Sequence, residues 1–407
     1  MNGNGRAPLA GIRVLEVGNY MAGPFCGMQL ADLGAEVIKV EPPDGGDQVR
    51  SIAPLLDGEG SAFVRLNRNK RSLALNLKSV EGKQVFRQLV GTADVVVENL
   101  RPGTMADLEL GYDALRRLNP GLVYVAASGW GQDGPLSAQP GLDIMAQARS
   151  GLMSITGAPE GDPVKVGVPV CDLVCALYGA LAAVSALYAR RETGLGQLID
   201  VSLLEAGVSL AIWEAGKFFA TGEIPGPLGS AHQSNAPYQA FRSSDGWLTI
   251  GATTPRNWDA FCRVLGLERL LDDPRYADTS LRHRHRDTLI PVIETVIVSK
   301  PTASWLRVLE DAGVPCAPIE RFNEVFNDPH LKARDYFWDA PHPTLGPVRQ
   351  LGSPMRFSTT PVRRGKAGPL LGEDSSALLA ELGYAPAEIE ALFERRVARG
   401  PAQAVSS

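Results

Sequence analysis

The fold class is decided by residues 11–43, GIRVLEVGNYMAGPFCGMQLADLGAEVIKVEPP. Two short apolar runs, 12–17 and 35–41, flank residues 23–33, whose apolar side chains recur at helical spacing. A strand, a helix and a second strand in this order form the unit that joins two parallel strands. The stretch therefore predicts an α/β protein.

The same alternation continues along the N-terminal third of the chain. Apolar strands are predicted for ADVVVEN (93–99) and LVYVAAS (122–128), and helices for VEGKQVFRQL (80–89) and YDALRRL (112–118). Continuous apolar strands separated by helices are typical of a parallel sheet that is covered on both faces. A long helix is predicted to begin near Asp172, and residues 194–206 to form a strand that runs into a helix.

The composition changes between about residues 222 and 246, where Gly, Pro, Ser and Asn are frequent, as in a linker or an active-site loop. A strand at 247–252 and helices at 257–265 and 302–312 follow. We therefore interpret roughly 225–325 as a second, smaller domain. From about residue 327 the tail reads as extended and rich in proline, ending in a helix at 385–399.

Composition excludes several classes of protein. The chain has 407 residues, 44% hydrophobic and 21% charged, with a formal charge of -5, so neither a disordered chain nor a basic nucleic-acid surface is indicated. Its five cysteines form no C-x-x-C pair. The N-terminus lacks the pattern of a signal or transit peptide, and we expect a cytoplasmic protein.

One segment, 173–189, is long and uncharged, but it contains as much Ala, Gly, Ser and Cys as Leu. It falls short of the roughly 20 strongly apolar residues of a membrane span. We expect a helix that is buried on all sides and no contact with a membrane.

Common catalytic motifs are missing. The sequence contains no P-loop, no G-x-G-x-x-G after the first strand and no G-x-S-x-G elbow. His283 and His285 lie in RHRHRD (282–287), a cluster of cations that resembles a solvated surface more than a metal site. We therefore expect no metal and no nucleic-acid partner.

Asp172 heads the long apolar helix, and two interpretations of it stay open on position alone. Its carboxylate would accept hydrogen bonds as an N-cap. Alternatively, it would act as a covalent nucleophile toward an activated acyl group, with the helix N-terminus favouring its charged form.

Residues 11–50 and six later segments occur in a family's order: LNRNKRSLALNLKS, ADVVVENLRPGTM, LNPGLVYVAASGWGQDGP, the Asp172 region, TGLGQLIDVSLLEA and RFSTTPVRRGKAGPLLGED. Over nearly the whole chain the sequence resembles the family III CoA-transferases, of the CaiB/BaiF type. The resemblance implies that Asp172 is the catalytic residue, acylated by a CoA thioester. It also implies a large Rossmann-like domain in 1–224 that a C-terminal segment, 326–407, completes, a smaller α/β domain in 225–325, and an interlocked homodimer. It implies no cofactor, because CoA is itself a substrate.

The resemblance further implies where CoA binds. The expected positions, at the ends of the first strands, are Met21, Ala22, Leu75, Asn76, Leu77, Lys78, Asn99, Leu100 and Arg101. Lys78 and Arg101 suit the CoA phosphates, or else they are ordinary surface charges. Asp107 stands where several members carry a cation that faces CoA, which weakens any detailed phosphate assignment.

The acceptor acid is less constrained. Formyl-CoA transferases have glutamine at the position of Met21 and glycines where this chain has His232, Gln233, Ser234 and Asn235, which argues against formyl-CoA and oxalate. His232, Ser234 and Asn235 are candidate ligands of an acceptor carboxylate, or a plain polar loop. We expect succinyl-CoA as donor and a dicarboxylic or hydroxy acid as acceptor.

Two alternatives remain. The related 2-methylacyl-CoA racemases use a histidine in a Gly-His-Asp stretch, which here reads Gly141-Leu142-Asp143, and no histidine precedes His232. A base is needed next to the α-proton, and Leu142 cannot supply one. The other alternative is a CoA-binding protein of this fold without catalysis, against which the intact Asp172 argues.

Overall fold

The computed structural model describes residues 6–401. Its strands are β1 Arg13–Val17, β2 Glu36–Glu41, β3 Leu55–Leu56, β4 Glu59–Gly60, β5 Lys70–Leu75, β6 Val95–Glu98, β7 Val123–Ser128, β8 Leu198–Ser202, β9 Tyr238–Arg242, β10 Trp247–Gly251, β11 Cys316–Pro318, β12 Phe337–His342, β13 Gly346–Leu351 and β14 Ala398–Arg399. Its α-helices are α1 Ala22–Asp32, α2 Phe63–Leu66, α3 Val80–Val90, α4 Thr104–Asp107, α5 Tyr112–Leu118, α6 Asp143–Arg149, α7 Leu152–Ile155, α8 Val170–Thr193, α9 Leu203–Ser209, α10 Ile212–Thr221, α11 Pro255–Leu265, α12 Thr279–Arg284, α13 Arg286–Ile297, α14 Thr302–Asp311, α15 Phe322–Val325, α16 Pro329–Ala333, α17 Ser375–Glu381 and α18 Pro386–Glu394.

The chain divides into two compact units. The first contains residues up to Leu152, Val166–Trp213 and the chain from Lys332 onward, and the second contains Met153–Lys165 and Glu214–Leu331. The predicted small domain, 225–325, falls within the second unit.

A seven-stranded sheet organises the first unit, in the order β14-β5-β2-β1-β6-β7-β8. Six of its strands are parallel, and only β14 pairs antiparallel, to β5. In the middle of the sheet Val14 lies opposite both Val37 and Val95. The predicted α/β class with a large parallel sheet is therefore confirmed.

Helices cover the two faces of this sheet, and each face has its own apolar core. On one face α3, α5, α17 and α18 pack against strand residues that include Leu15, Ile38 and Val96. On the other face α1 and α8 pack against Val14, Val95 and Val97. Successive residues of a strand point to opposite faces of the sheet, and here both faces are covered. Both sets of residues are therefore apolar, which produces the continuous apolar runs in the sequence.

The long helix α8 begins at Val170, near Asp172 as the sequence predicted. Its burial differs from the prediction, because only one side is buried, through small residues such as Ala176, Ala180 and Ala183. Leu181 and Tyr188 on the other side are 62% and 72% exposed, so the expectation of burial on all sides was wrong for this chain by itself. Within residues 6–401, α8 is the one helix whose length and apolar composition would allow it to cross a membrane, a property that core helices of soluble proteins share.

The C-terminal tail is more ordered than expected. Strands β12 and β13 form a hairpin, and α17 precedes a final helix, α18, that ends at Glu394 instead of continuing to 399. Residues Ala398 and Arg399 then join the main sheet beside β5 as β14.

The second unit is built on a small antiparallel sheet in the order β11-β10-β9. Phe241, Leu248 and Ile250 of this sheet pack against Phe261 of α11 and Ile293 of α13 in a separate apolar core. The second unit thus combines a small antiparallel sheet with helices around its own core.

Candidate active site

The carboxyl ends of the parallel strands meet at one edge of the large sheet, where α/β proteins bind their ligands. The predicted CoA-binding residues follow three of these ends. Met21 and Ala22 begin α1 after β1, residues 75–78 end β5 and lead to α3, and residues 99–101 follow β6. The topology therefore brings all three segments to one edge.

Lys78 and Arg101 are exposed cations at this edge. The Lys78 backbone N–H donates to the Asn76 side chain at 3.0 Å, which fixes the turn before α3. Asp107, the last residue of α4, is exposed as well. The geometry is compatible with a phosphate site at Lys78 and Arg101, but those assignments stay predictions.

Asn99 fixes the loop between β1 and α1. Its Oδ1 accepts from the Asn19 backbone N–H at 2.9 Å, and its Nδ2 donates to the Asn19 carbonyl at 2.9 Å. Glycine is needed on both sides of this contact, because a Cβ at Gly18 or Gly23 would lie 2.9 or 2.7 Å from Asn99 Oδ1. A predicted CoA-binding residue thus also holds the loop that contains Met21.

A network of buried charged side chains also supports the loop between β1 and α1. Lys39 Nζ contacts Glu16 at 2.8 Å, Asp47 at 2.8 Å and the Gly18 carbonyl at 2.9 Å. Lys70 Nζ contacts the second oxygen of Glu16 at 2.6 Å. Burial opposes the charge on Glu16, but the two lysines outweigh it and hold its pKa below the usual range.

Asp172 is the third residue of α8 and not its N-cap. The first free N–H groups of the helix are satisfied by Asp143 instead, whose Oδ1 accepts from the backbone of Cys171 at 2.9 Å and of Asp172 at 3.3 Å. Within residues 6–401, no hydrogen bond to the Asp172 carboxylate is present. The N-cap interpretation was therefore wrong, because a residue from α6 performs that task.

Electrostatics around Asp172 also differ from the expectation. Burial, and then the negative charge of Asp143, raise the pKa of Asp172 from 3.8 to about 7. The helix N-terminus was expected to favour the charged form, but these two effects outweigh it. A carboxylate that is poorly solvated and accepts no hydrogen bonds keeps its nucleophilicity once it is ionised.

Gln147 and Asp143 together position the start of α8. Gln147 is fully buried, donates to Asp143 Oδ2 at 2.6 Å and accepts from the Val166 backbone at 2.8 Å. A Cβ at Gly207 of α9 would lie 2.9 Å from the Cys171 sulfur, so α9 also packs closely here. The backbone that carries Asp172 is thus held from α6 and α9.

Sequence reasoning did not assign functions to Asp143, Glu98 or Asp200. Burial raises the pKa of Glu98 to about 7, although its carboxylate accepts from Leu100 N at 2.7 Å. Burial raises the pKa of Asp200 as well. Glu98 and Asp200 share a register across β7, on the sheet face away from α8. The available signal was an acidic residue at the end of β6 and another within β8.

His232, Ser234 and Asn235 lie in the second unit and contact one another. Ser234 N donates to His232 Nδ1 at 3.1 Å, and the Asn235 amide nitrogen lies 3.3 Å from the same atom. The His232 ring also packs on Tyr238 at 5.0 Å between centroids. The three candidates therefore form one compact loop, and their role toward an acceptor stays a prediction.

Comparison with known proteins gives a consistent set of similarities. The model of CoA-transferase family III matches residues 9–375. The mouse succinyl-CoA:glutarate CoA-transferase is 38% identical over 388 residues, which cover 95% of this chain and 89% of that protein. The succinyl-CoA–D-citramalate CoA-transferase of Chloroflexus aurantiacus is 35% identical and covers 96% of this chain and 98% of its own length. The crystal structure of a CaiB/BaiF family protein from Brucella suis superposes with a TM-score of 0.84 at 36% identity, covering 93% of this chain and all of that one.

Proposed function

Because the chain belongs to CoA-transferase family III, we propose that this CoA-transferase moves CoA from succinyl-CoA to a dicarboxylic acid. The family match confirms the resemblance seen in the sequence. The names of the mouse and Chloroflexus relatives support the donor and the type of acceptor. The observation in the chain itself that carries the proposal is the half-buried Asp172 carboxylate, which accepts no hydrogen bond within residues 6–401 and has a pKa of about 7.

The proposed reaction begins when a carboxylate oxygen of Asp172 attacks the thioester carbonyl of succinyl-CoA. The C–S bond breaks, CoA leaves as its thiolate, and a succinyl-aspartyl anhydride remains. The thiolate then attacks the aspartyl carbonyl, which releases succinate and forms an aspartyl-CoA thioester. The acceptor carboxylate displaces CoA from that thioester, and CoA finally attacks the acceptor's acyl carbon and restores Asp172. Since each thioester conserves the energy of the last, neither ATP nor another cofactor is needed.

Each attack creates an oxyanion that needs hydrogen-bond donors. The loop 229–236 is our candidate source, and its internal bonds narrow the choice. The N–H groups of Gly229, Ala231, His232 and Ser234 already donate within the second unit. The remaining N–H groups of the loop are therefore the proposed donors.

We also propose that two copies of the chain form the interlocked homodimer that the resemblance implies, and that the enzyme acts in the cytoplasm. The exposed apolar side of α8, which includes Leu177, Leu181 and Tyr188, supports an interface between copies. Light scattering after size-exclusion chromatography measures the mass. A dimer that resists dilution and releases monomers only on unfolding agrees with interlocking, whereas a monomer contradicts it.

The function is tested with purified protein, a panel of CoA thioesters and a panel of carboxylic acids, without ATP. We expect transfer from succinyl-CoA to dicarboxylic acids, its loss in Asp172→Ala, and its retention in Asp113→Asn, a matched change of an exposed acid in the first turn of α5. Trapping with hydroxylamine or borohydride, followed by mass spectrometry, should locate an adduct on Asp172. If the donor turns over and no adduct forms there, the acceptor attacks the thioester directly and the covalent scheme is wrong.

The same preparation distinguishes the alternatives. A racemase would exchange the α-proton of a 2-methylacyl-CoA in D2O without any acceptor acid. A non-catalytic protein would bind CoA thioesters and leave them unchanged. Either result would overturn the proposed transfer.

A further inference from the structure

The C-terminal strand β14 brings an arginine that the proposed reaction does not use to the large sheet of the first unit. Ala398 and Arg399 of β14 pair with Leu75 and Ala74 at the end of β5. The Ala398 side chain belongs to the core on the face that α3 and α5 cover. Because successive side chains of a strand point to opposite faces, Arg399 points to the face that α1 and α8 cover.

The exposed Arg399 side chain extends across β5 toward the loop that follows β2. Its Nη1 donates to the Pro43 carbonyl at 3.3 Å, and β2 is the neighbour of β5 on the side away from β14. The backbone of Arg399 is closely packed too, because a Cβ at Gly372 would lie 2.3 Å from its carbonyl oxygen. Both ends of this residue are therefore fixed, and its guanidinium lies beside the end of β2.

The end of the second strand is where a doubly wound sheet meets the ribose of a bound dinucleotide. An acidic residue there accepts a hydrogen bond from a ribose hydroxyl, whereas a nearby arginine accommodates a ribose phosphate. In this chain the acid at the end of β2, Glu41, is 1% exposed and already accepts from Arg50 Nε at 2.7 Å and Ser72 Oγ at 2.8 Å. The exposed group at this position is therefore the cation of Arg399, which favours a phosphate.

A second cation lies on an adjoining segment. The Asn76 backbone N–H donates to the Val397 carbonyl at 2.7 Å, so the chain that leads from β5 to Lys78 runs beside the start of β14. Lys78 and Arg399 are both exposed, and neither forms an ion pair within residues 6–401. Two cations without a carboxylate partner on neighbouring segments favour the binding of an anion that carries more than one charge.

The separation from Asp172 suits the end of CoA that is remote from the thioester. Asp172 is in the first turn of α8, which packs on β7, since a Cβ at Gly179 would lie 3.3 Å from Val125. Five strand spacings separate β7 from β14 in the sheet order, which at about 4.8 Å each is about 24 Å. In extended CoA the sulfur and the ribose 3′-phosphate lie at opposite ends of the molecule.

We propose that Arg399, together with Lys78, binds the ribose 3′-phosphate of CoA. The inference rests on the proposed function, which takes CoA thioesters as substrates, and adds a binding residue from the C-terminal strand. A phosphate monoester carries a charge of about −1.5 to −2 at pH 7, whereas each phosphate of the pyrophosphate bridge carries a single charge. The planar guanidinium of Arg399 matches two oxygens of the terminal phosphate, and the Lys78 ammonium contributes a second positive charge.

Equilibrium binding of CoA and of 3′-dephospho-CoA isolates this group, because the two ligands differ only in the 3′-phosphate. Isothermal titration compares wild type with Arg399→Gln. Arg395→Gln is the matched control, since it removes an exposed arginine of the same segment that already pairs with Glu81 at 2.7 Å. We expect wild type to prefer CoA, Arg399→Gln to weaken CoA binding about tenfold or more without affecting dephospho-CoA, and Arg395→Gln to change neither.

The proposal is overturned if wild type binds both ligands equally, if Arg399→Gln leaves CoA binding unchanged or weakens both ligands equally, or if Arg395→Gln causes the same loss. Circular dichroism of each variant checks the fold, and Lys78→Gln repeats the test from the adjoining segment, with a loss confined to CoA expected again. The proposed function fails by a different result. If wild type transfers no CoA from succinyl-CoA to any acid, a loss of the preference for CoA in Arg399→Gln still supports the phosphate site.

Discussion

Replacing Asp172 by Asn should abolish transfer and at the same time stabilise the protein at alkaline pH. The pKa of Asp172 is raised from 3.8 to about 7, first by burial and then by Asp143. Because the folded pKa lies above the unfolded one, ionisation costs stability, and the cost grows as pH rises from about 4 through about 7. At about 1.4 kcal/mol for each pKa unit, the full cost is about 4 kcal/mol at pH 8. Asparagine has nearly the same shape and never ionises.

Thermal unfolding of wild type and Asp172→Asn at pH 5 and pH 8 measures this effect. We expect Asn to raise Tm by several degrees at pH 8 and by less than half as much at pH 5, where the folded carboxyl is mostly protonated. The control Asp113→Asn changes an exposed acid that pairs with Arg116. It should alter stability by less than about 1 kcal/mol at both pH values.

A lower Tm for Asp172→Asn at pH 8 would refute the reasoning, because it would mean that the fold stabilises the ionised carboxylate. An equal gain at both pH values would show that packing, and not ionisation, is responsible. Transfer at the wild-type rate would refute the role as nucleophile. The stability measurement thus tests the ionisation of the Asp172 carboxyl group, and the activity measurement tests its role as nucleophile.

Three further variants extend this account. Wild-type activity should rise with pH and level off once Asp172 ionises, above about 7. Asp143→Asn should move the midpoint of that pH–activity profile to lower pH, because it removes a negative charge near Asp172. A midpoint that stays in place would contradict the assignment of the profile to Asp172. Asn99→Ala removes both side-chain hydrogen bonds to Asn19 and should raise KM for succinyl-CoA several-fold at little change in kcat, as measured by initial rates. Lys39→Met leaves two buried carboxylates poorly paired and should cost about 3–5 kcal/mol in denaturant unfolding, whereas a neutral result would mean that Lys70 suffices.

The sequence predicts the central strands well because buried parallel strands leave a local pattern. β1, β2, β6 and β7 all lie within the predicted apolar runs. Strand β5 was not identified. It begins with Lys70 and Arg71, whose partners Glu16 and Glu36 come from other strands. When the partner of a buried charge is distant along the sequence, the sequence alone does not distinguish that charge from one on the surface.

The same limit applies to the candidate site. Asp172 was identified by resemblance, but its environment depends on Asp143, which lies 29 positions earlier. The Asp143 carboxylate accepts the hydrogen bonds of the first helical N–H groups, the role that one interpretation of the sequence gave to Asp172. The β12–β13 hairpin of the C-terminal tail was not predicted for a similar reason. Pro341 and Pro347 favour an extended chain, and the structure places them opposite each other in the β12–β13 hairpin, a pairing that no local pattern encodes.

The buried charges beneath the β1–α1 loop explain how an irregular segment can be held rigid at a ligand-binding edge. Apolar packing fixes side chains but offers no partner to a loop's backbone groups, which must be paired when buried. Here Lys39 donates to the Gly18 carbonyl, and Asp47 accepts from the Tyr20 N–H at 3.3 Å. Lys39 and Asp47 are themselves neutralised within the network. Gly27 of α1 leaves space for the Glu16 carboxylate that pairs with Lys39, because a Cβ at Gly27 would lie 2.0 Å from a Glu16 oxygen. Charged side chains near the strand ends thus hold the loop that carries Met21 in a fixed position.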